Sequence, residues 1–369
     1  MQVMTMDTSN AQSAERPRLK CRLSTILKTV GKALLVLLET AVLLVFMLYG
    51  VMFILAKGPS PTARDIFVMS VRETSAVGFI ANLFFTEEEI AEIESGGAEN
   101  EQIDTDTSLI VMPSEPSGDE NETGPVPDAW GLVDEDGDGL ILEKVNGESY
   151  NGYMLVVLDP SRVIMGCRPE LFGVQGFKVA DMAEYFGAVA GINASGFLDE
   201  GGNGRGETPD AMVVYEGQIY YSGVGDGFVG FDSNHILHVG RLSSGAIKER
   251  DIQFGVSFGP VLVSNGEITQ SAKGSSGVNP RTAIGQRSDG AVLMLVIAGR
   301  QLTSLGATYN DIAEIMLDYG AVNACNLDGG SSSMMWYEGE YLNNTASVIG
   351  IRPVPTTFLV LPKEDSSNG

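Results

Sequence analysis

The sequence predicts an α+β protein: a strand-rich mixed-sheet domain with a few helices, preceded by one transmembrane helix and an acidic linker. Three observations lead there. An apolar run crosses residues 33–56, and a stretch of Gly, Glu, Asp, Ser and Pro follows at 95–128. From Leu140 onward, short β-branched and aromatic runs alternate with glycine turns, and only two helix-length amphipathic patterns interrupt them. The 369-residue length holds one large domain or two ordinary ones, and a hydrophobic share of 44% supplies a sizeable core. A net charge of -25 leaves no basic stripe to neutralise phosphates, which argues against a nucleic-acid partner.

Residues 1–32 are polar and carry Arg16, Arg18, Lys20, Arg22, Lys28 and Lys32, as a cytoplasmic tail does. Ala33 to Ala56 would span roughly 36 Å as a helix, more than the ~30 Å hydrocarbon core of a bilayer. The basic flank precedes this run, so the N-terminus is expected inside and the remainder outside. The expectation is a single-pass plasma-membrane signal anchor, in contact with the lipid bilayer through residues 33–56, carrying an extracellular domain. A cleaved signal peptide would have a shorter apolar core, and no small-x-small site follows Ala56.

Residues 57–94 carry a broken apolar stripe, and Thr86-Glu-Glu-Glu89 resembles a capping box. This predicts a juxtamembrane helical stalk; an amphipathic segment lying on the membrane or on the domain fits the same pattern. Residues 95–128 have too few apolar side chains to offset the entropy of ordering, which predicts a disordered linker. Between Gly96 and Tyr150 there are fifteen acidic residues against one lysine. The folded domain is then expected over 129–362, with a tail at 363–369.

Asp134-Glu-Asp-Gly-Asp-Gly139 imitates the start of a calcium loop, with Asp134, Asp136 and Asp138 as ligands. Its twelfth position falls on Val145, where a bidentate Glu is needed, and Glu143 comes two residues early. An acidic loop opening the domain is the competing reading, and no other cofactor is required. Of the three cysteines, Cys21 precedes the apolar run, and Cys167 and Cys325 read as buried free thiols.

Strand-like runs are expected at Tyr153–Leu158, Ala211–Tyr215, Gln218–Tyr221, Ile236–Val239, Gly255–Val263, Ala291–Ala298 and Thr357–Leu361. Ser264-Asn-Gly266 and Ser288-Asp-Gly290 serve as hairpin turns. Helices are expected at Lys178–Phe186 and Thr308–Tyr319.

The chemistry-bearing residues cluster at strand ends. Asp328-Gly329-Gly330-Ser331 is a lone acid followed by glycines that let backbone N–H groups converge on an anion, although an ordinary Asp-Gly turn looks the same. Asn193 and Ser195 close a small-residue strand. The loop Asp199–Asp210 holds Arg205 and Glu207. Arg281, next to Thr282, leads into a strand and Arg300 leaves one, and a guanidinium fork suits a phosphate. The two histidines, His235 and His238, would point to opposite faces of a strand, which disfavours a zinc site or a Ser-His-Asp triad. Carboxylates are therefore the candidates for proton transfer, as in sugar hydrolysis. Asp328 comes first, with Asp199, Glu207 and Asp210 as candidate partners.

Five blocks in order carry a resemblance. They are Asn193 with Gly196-Phe197; Phe258-Gly-Pro-Val-Leu-Val263 with Asn265-Gly266; Pro280-Arg-Thr-Ala-Ile-Gly285; Gly299-Arg300; and Asn326-Leu-Asp-Gly-Gly-Ser-Ser332. From about Leu140 to Leu361 the chain resembles the phosphodiester glycosidase family. The resemblance implies an α+β domain that hydrolyses a sugar from a phosphodiester, with a glycan or sugar phosphate as substrate. It also implies a pocket lined by Asn193, Arg281, Thr282, Arg300, Asp328, Gly329, Gly330 and Ser331. Arg281 and Arg300 would hold phosphate, and Asp328 would act as acid, base or orienter. Ala194-Ser195 and Ala298 depart from the family's usual residues. Those departures motivate an alternative, a non-catalytic envelope module that binds anionic glycan or a partner protein.

Overall fold

The computed structural model describes residues 15–74, 77–95, 103–112, 126–199, 204–222, 227–274, 276–347 and 350–364. The chain divides into two compact units, Met1–Pro61 and Thr62–Gly369. The first is helix α1 (Glu15–Lys57). Its part Leu27–Lys57 is long and apolar enough to cross a membrane, so the run extends past the expected 33–56 at both ends. Apolar side chains such as Leu34, Leu38, Leu43 and Phe46 cover it all round and stay exposed.

The second unit opens with α2 (Pro61–Arg72) and α3 (Glu87–Ser95). The capping box at α3 is present: the Thr86 N–H donates to Glu89 Oε2 at 2.8 Å, and the Glu89 N–H donates to Thr86 Oγ1 at 3.2 Å. The stalk expectation fails here, because Val68, Ala81, Phe85 and Ile90 are buried. The face turned to the domain is carried by Val68, Ala81, Phe85 and Ile90, while Phe79 and Leu83 of the apolar stripe stay exposed. Within 95–128, residues 103–112 are tied down as well. Val239 N–H donates to Thr105 Oγ1, Val111 N–H to Ser288 O, and Asn265 Nδ2 to Asp104 O. These bonds, with Ile110 buried and Ile103 packed against the main apolar interior, tie the piece to the sheets. Residues 96–102 and 113–125 of the expected linker lie outside the described residues.

The strands follow in order: β1 (Leu140–Asn146), β2 (Asn151–Val157), β3 (Val163–Cys167), helix α4 (Val179–Phe186), β4 (Ala190–Asn193), β5 (Val213–Tyr215), β6 (Gln218–Tyr221), β7 (Phe228–Asp232) and β8 (Leu237–Gly240). Then come α5 (Ser244–Glu249), β9 (Ile252–Val256), β10 (Val261–Ser264), β11 (Glu267–Ile268), α6 (Gln270–Lys273), β12 (Arg281–Arg287), β13 (Val292–Ile297) and α7 (Tyr309–Asp318). The chain ends with β14 (Ala321–Leu327), β15 (Met335–Tyr337), β16 (Glu340–Tyr341) and β17 (Thr356–Val360). They form three antiparallel sheets, in the orders β1-β2-β13-β12-β14-β10-β11, β16-β15-β4-β17-β3 and β6-β5-β9-β7-β8.

One apolar interior is shared by an inner face of each sheet, and period-two alternation decides which side chain goes there. In β13, Val292, Met294 and Val296 join Phe231 and Phe358 in that interior. Leu293, Leu295 and Ile297 point the other way, onto Ile312, Ala313 and Met316 of α7. α4 covers the second sheet through Val179, Met182 and Ala183, and α5 covers the third through Ile247. Both expected hairpin turns are in place, at β10–β11 and β12–β13. The single strand expected at Gly255–Val263 is two, β9 and β10, with Ser257–Pro260 between them turning the chain from the third sheet to the first. Cys167 and Cys325 are buried and free, and burial pushes both thiols up.

Candidate active site

The site grows from the ends of three strands. β12 and β14 are neighbours in register, with Thr282 opposite Leu327, so Arg281 and Asp328 leave the sheet at the same edge. β4 from the second sheet ends beside them. Its Asn193 is buried and donates through Nδ2 to Asp328 O at 2.6 Å, while Asn193 Oδ1 accepts from Thr282 Oγ1 at 3.0 Å and Met334 N–H at 3.1 Å. One amide thus fixes the Asp328 turn to both sheets. The Asp328 N–H closes the join by donating to Ala194 O at 3.0 Å.

The two glycines are required by close approach. A Cβ on Gly329 would lie 2.9 Å from Pro280 O, and Gly330, at φ 60°, donates its N–H to that same carbonyl at 2.9 Å. The turn therefore sits directly on the residue preceding Arg281.

Asp328 lies on a cavity of about 340 Å³, with Gly329, Gly330, Ser331 and Ser332 beside it. One side carries the cations. Arg281 is only 4% exposed; it stacks at 4.0 Å over the Tyr309 ring and donates through Nε to Ala307 O and through Nη2 to Gly277 O. Arg300 is held at φ 56° and donates to Asn279 Oδ1 at 2.9 Å and Thr74 Oγ1 at 2.6 Å. Glu73 reaches the same place: its Oε2 accepts from Arg281 Nη2 at 2.8 Å and Asn279 Nδ2 at 2.7 Å. Phe197, Asp199, Asp210 and Arg352 also line the cavity. Arg352 pairs with Asp199 and lies 5.0 Å over the Phe197 ring. Gly204, at φ 62°, leaves room for it, since a Cβ there would meet Arg352 Nε at 2.7 Å.

Electrostatics set Asp328 apart. Burial pushes its carboxyl up to about 7. The Asp210 charge pushes the same way, while a Ser332 hydrogen bond, Arg352 and the Gly329 N–H oppose. Burial also raises Asp210, whose carboxylate lies 2.5 Å from where a Cβ on Gly196 would stand. Burial pulls Arg300 below the usual guanidinium range, as does the charge of Arg281, with Glu73 opposing.

Of the residues singled out in the sequence, Arg281, Arg300, Asp328, Gly329, Gly330, Ser331, Asp199 and Asp210 line one cavity. Asn193 and Thr282 support it from behind through the bonds above. Ser195 does not line the cavity. It is 1% exposed, and both its N–H and its Oγ bond Thr356 Oγ1. Glu207 lies 3.6 Å from Arg205 and outside the cavity lining. His235 lies in the turn before β8 at φ 60°, not in a strand, and His238 pairs with Asp232. Asp134, Asp136 and Asp138 each bring an oxygen within 4.8 Å of the others, but none lines the cavity. Their carboxylates accept N–H groups of their own loop, from Gly137, Gly139, Asp138 and Leu140. Sequence reasoning missed Glu73, Thr74 and Arg352. Only Arg352 had a readable signal, an arginine just before the last strand.

Fold and cavity bring one acid and two arginines together, and comparisons with known proteins bear on the domain that carries them. Residues 186–361 match the family model described as phosphodiester glycosidase. The SPbeta prophage-derived uncharacterized protein YomE of Bacillus subtilis is 30% identical over 202 residues. That match covers 52% of this chain and 30% of the relative, so the chain spans under a third of that protein's length. A structure of the zebrafish N-acetylglucosamine-1-phosphodiester α-N-acetylglucosaminidase catalytic domain, auto-inhibited by its pro-peptide, superposes with a TM-score of 0.51 at 19% identity. It covers 61% of this chain and 82% of its own, and it shows a shared fold.

Proposed function

We propose that the chain hydrolyses a glycosyl phosphodiester at the anomeric carbon, releasing a free sugar and a phosphomonoester, at the outer face of a membrane that α1 spans with its N-terminus inside. The substrate belongs to surface or extracellular polysaccharide. A single juxtaposition carries this reading: a carboxyl with its pKa near neutrality shares one cavity with two guanidinium groups.

The chemistry follows from those groups. Arg281 and Arg300 hold the phosphate and take up the charge that builds on it as the C1–O bond breaks, so the leaving group needs little protonation. Asp328 in its ionised form takes a proton from water, and the water oxygen forms the new bond to C1. Asp210 opposes the positive charge that develops on the sugar ring. Asn193 and the two glycines keep Asp328 in register with the arginines.

The test is incubation of the full chain with a panel of sugar-1-phosphodiesters, with free sugar and phosphomonoester both measured. Asp328→Asn is expected to lower kcat by about 10²–10⁴-fold. Arg281→Ala is expected to raise KM tenfold or more. Binding of anionic glycan that survives Asp328→Asn, is lost in Arg281→Ala and never leads to turnover would establish the non-catalytic module instead.

A further inference from the structure

We propose that the aglycone is a lipid: the phosphodiester joins the reducing end of the glycan to a long-chain alcohol, whose chain runs from the Arg300 guanidinium across the hairpin tip 301–304. The bond that is cut rests on the glycosidase reading; the apolar arm of the site does not.

The hairpin leaves β13 at Arg300, a residue of the cavity wall. Its guanidinium stands against the Asp328 turn, since a Cβ on Gly330 would lie 3.5 Å from Nη1 and Nη2. Gln301 N–H donates to Ser304 O at 2.9 Å and Ser304 N–H to Gln301 O at 3.2 Å, while Arg300 N–H donates to Leu305 O at 3.0 Å. The tip is therefore Leu302-Thr303, at a place where Gly, Asn or Asp is the usual choice. Leu302 is wholly exposed, and Leu305, paired with Arg300, is 58% exposed. Two leucines thus follow the arginine directly.

Looseness does not account for them. Gln301 Nε2 donates to Asn344 O at 2.9 Å, Asn151 Nδ2 to Thr303 O at 3.0 Å, Ser304 Oγ to Ala298 O at 2.6 Å and Leu305 N–H to Ser149 O at 2.7 Å. The hairpin is pinned along its length and still holds its apolar side chains in water. A second exposed apolar run is attached to the same arginine. Arg300 bonds Thr74 Oγ1, the Val77 and Gly78 N–H groups both donate to Thr74 O at 3.0 Å, and Phe79 and Leu83 follow, 65% and 60% exposed. Single exposed apolar residues are ordinary; four on the two loops that meet one arginine of the anion site call for an apolar ligand.

The phosphate gives that ligand its direction. C1 of the sugar must face Asp328, and the phosphate lies on the arginines, so the other ester arm departs past Arg300. A second sugar there would need polar partners, whereas the hairpin offers methyl groups. Hydrolysis puts the water oxygen on C1 and leaves both electrons of the broken C1–O bond on the phosphate. The products are the free glycan and a lipid monophosphate.

The experiment is calorimetric titration of the full chain in detergent with methyl phosphate and with hexyl phosphate, alongside KM for sugar-1-phosphodiesters carrying the same two alkyl groups. The parent is expected to bind hexyl phosphate about tenfold or more tighter than methyl phosphate. Leu302→Ser and Leu305→Ser should each shrink that ratio severalfold, and both together should bring it close to one. Val174→Ser, an exposed apolar residue outside the cavity lining, should leave it unchanged and so controls for uptake by the micelle. Equal affinity for the two phosphates, or a gain that survives both hairpin substitutions, overturns the proposal. A hairpin-dependent gain with no diester hydrolysed keeps the apolar arm and sinks the glycosidase; hydrolysis with the same KM for methyl and hexyl diesters does the reverse.

Discussion

Asp328 is where the site's chemistry becomes measurable. A carboxyl lifted to about 7 is neutral in the folded protein over a range where the unfolded chain has it ionised. Its contribution to stability is therefore fully present below the usual value of 3.8 and is lost as pH rises toward about 7. Asp328→Asn removes this dependence, and above pH 7 the variant is expected to be more stable than the parent by roughly 1–3 kcal/mol in denaturant melts. Activity should move in the opposite sense. If ionised Asp328 is the base, kcat/KM rises through about pH 7 and levels off; a profile that falls there instead makes Asp328 an acid. Arg352 helps to hold Asp328 down. Arg352→Ala should move the rise toward alkaline pH by about one unit, and Arg352→Lys by less.

At the level of elements, the readable features were those set by nearest neighbours along the chain. The Thr86–Glu89 cap and the two hairpin turns depend on residues within a few positions of one another. What escaped was long-range pairing of polar groups. Glu73 meets Arg281 across 208 positions, and the acid-rich stretch around Asp128 is fixed by a partner 159 positions away. There Asp128 accepts from the fully buried Arg287 at 2.7 Å, Arg287 stacks at 3.9 Å over Trp130, and Asp289 holds its other face. Composition labels Asp128 as linker; a buried cation in need of a second carboxylate makes it part of the domain. Asp128→Ala leaves that need half met and is expected to cost about 1–3 kcal/mol of stability. Asp128→Asn, which keeps a hydrogen bond, should cost less. Likewise the sequence placed Asn193 and Ser195 in one motif. Only strand pairing separates the amide that fixes the Asp328 turn from the hydroxyl turned to Thr356.

At the scale of the whole molecule, the division falls at the end of the apolar helix and not at the acidic stretch, and truncations can locate it. A chain beginning at residue 62 lacks α1 and keeps residues 62–95 with the rest of the second unit. It is expected to leave the membrane fraction and to melt as the parent's folded unit does. A chain beginning at residue 103 loses the burial of Val68, Ala81, Phe85 and Ile90, at about 1–3 kcal/mol for each, and leaves Arg281 without the Glu73 carboxylate. In a unit of this size each kcal/mol lowers Tm by about 2–4 °C, so the second truncation should melt at least about 10 °C below the first. A free stalk would make the two melt together. The gap in Tm therefore measures how far the segment following α1 belongs to the sheets that carry Asp328.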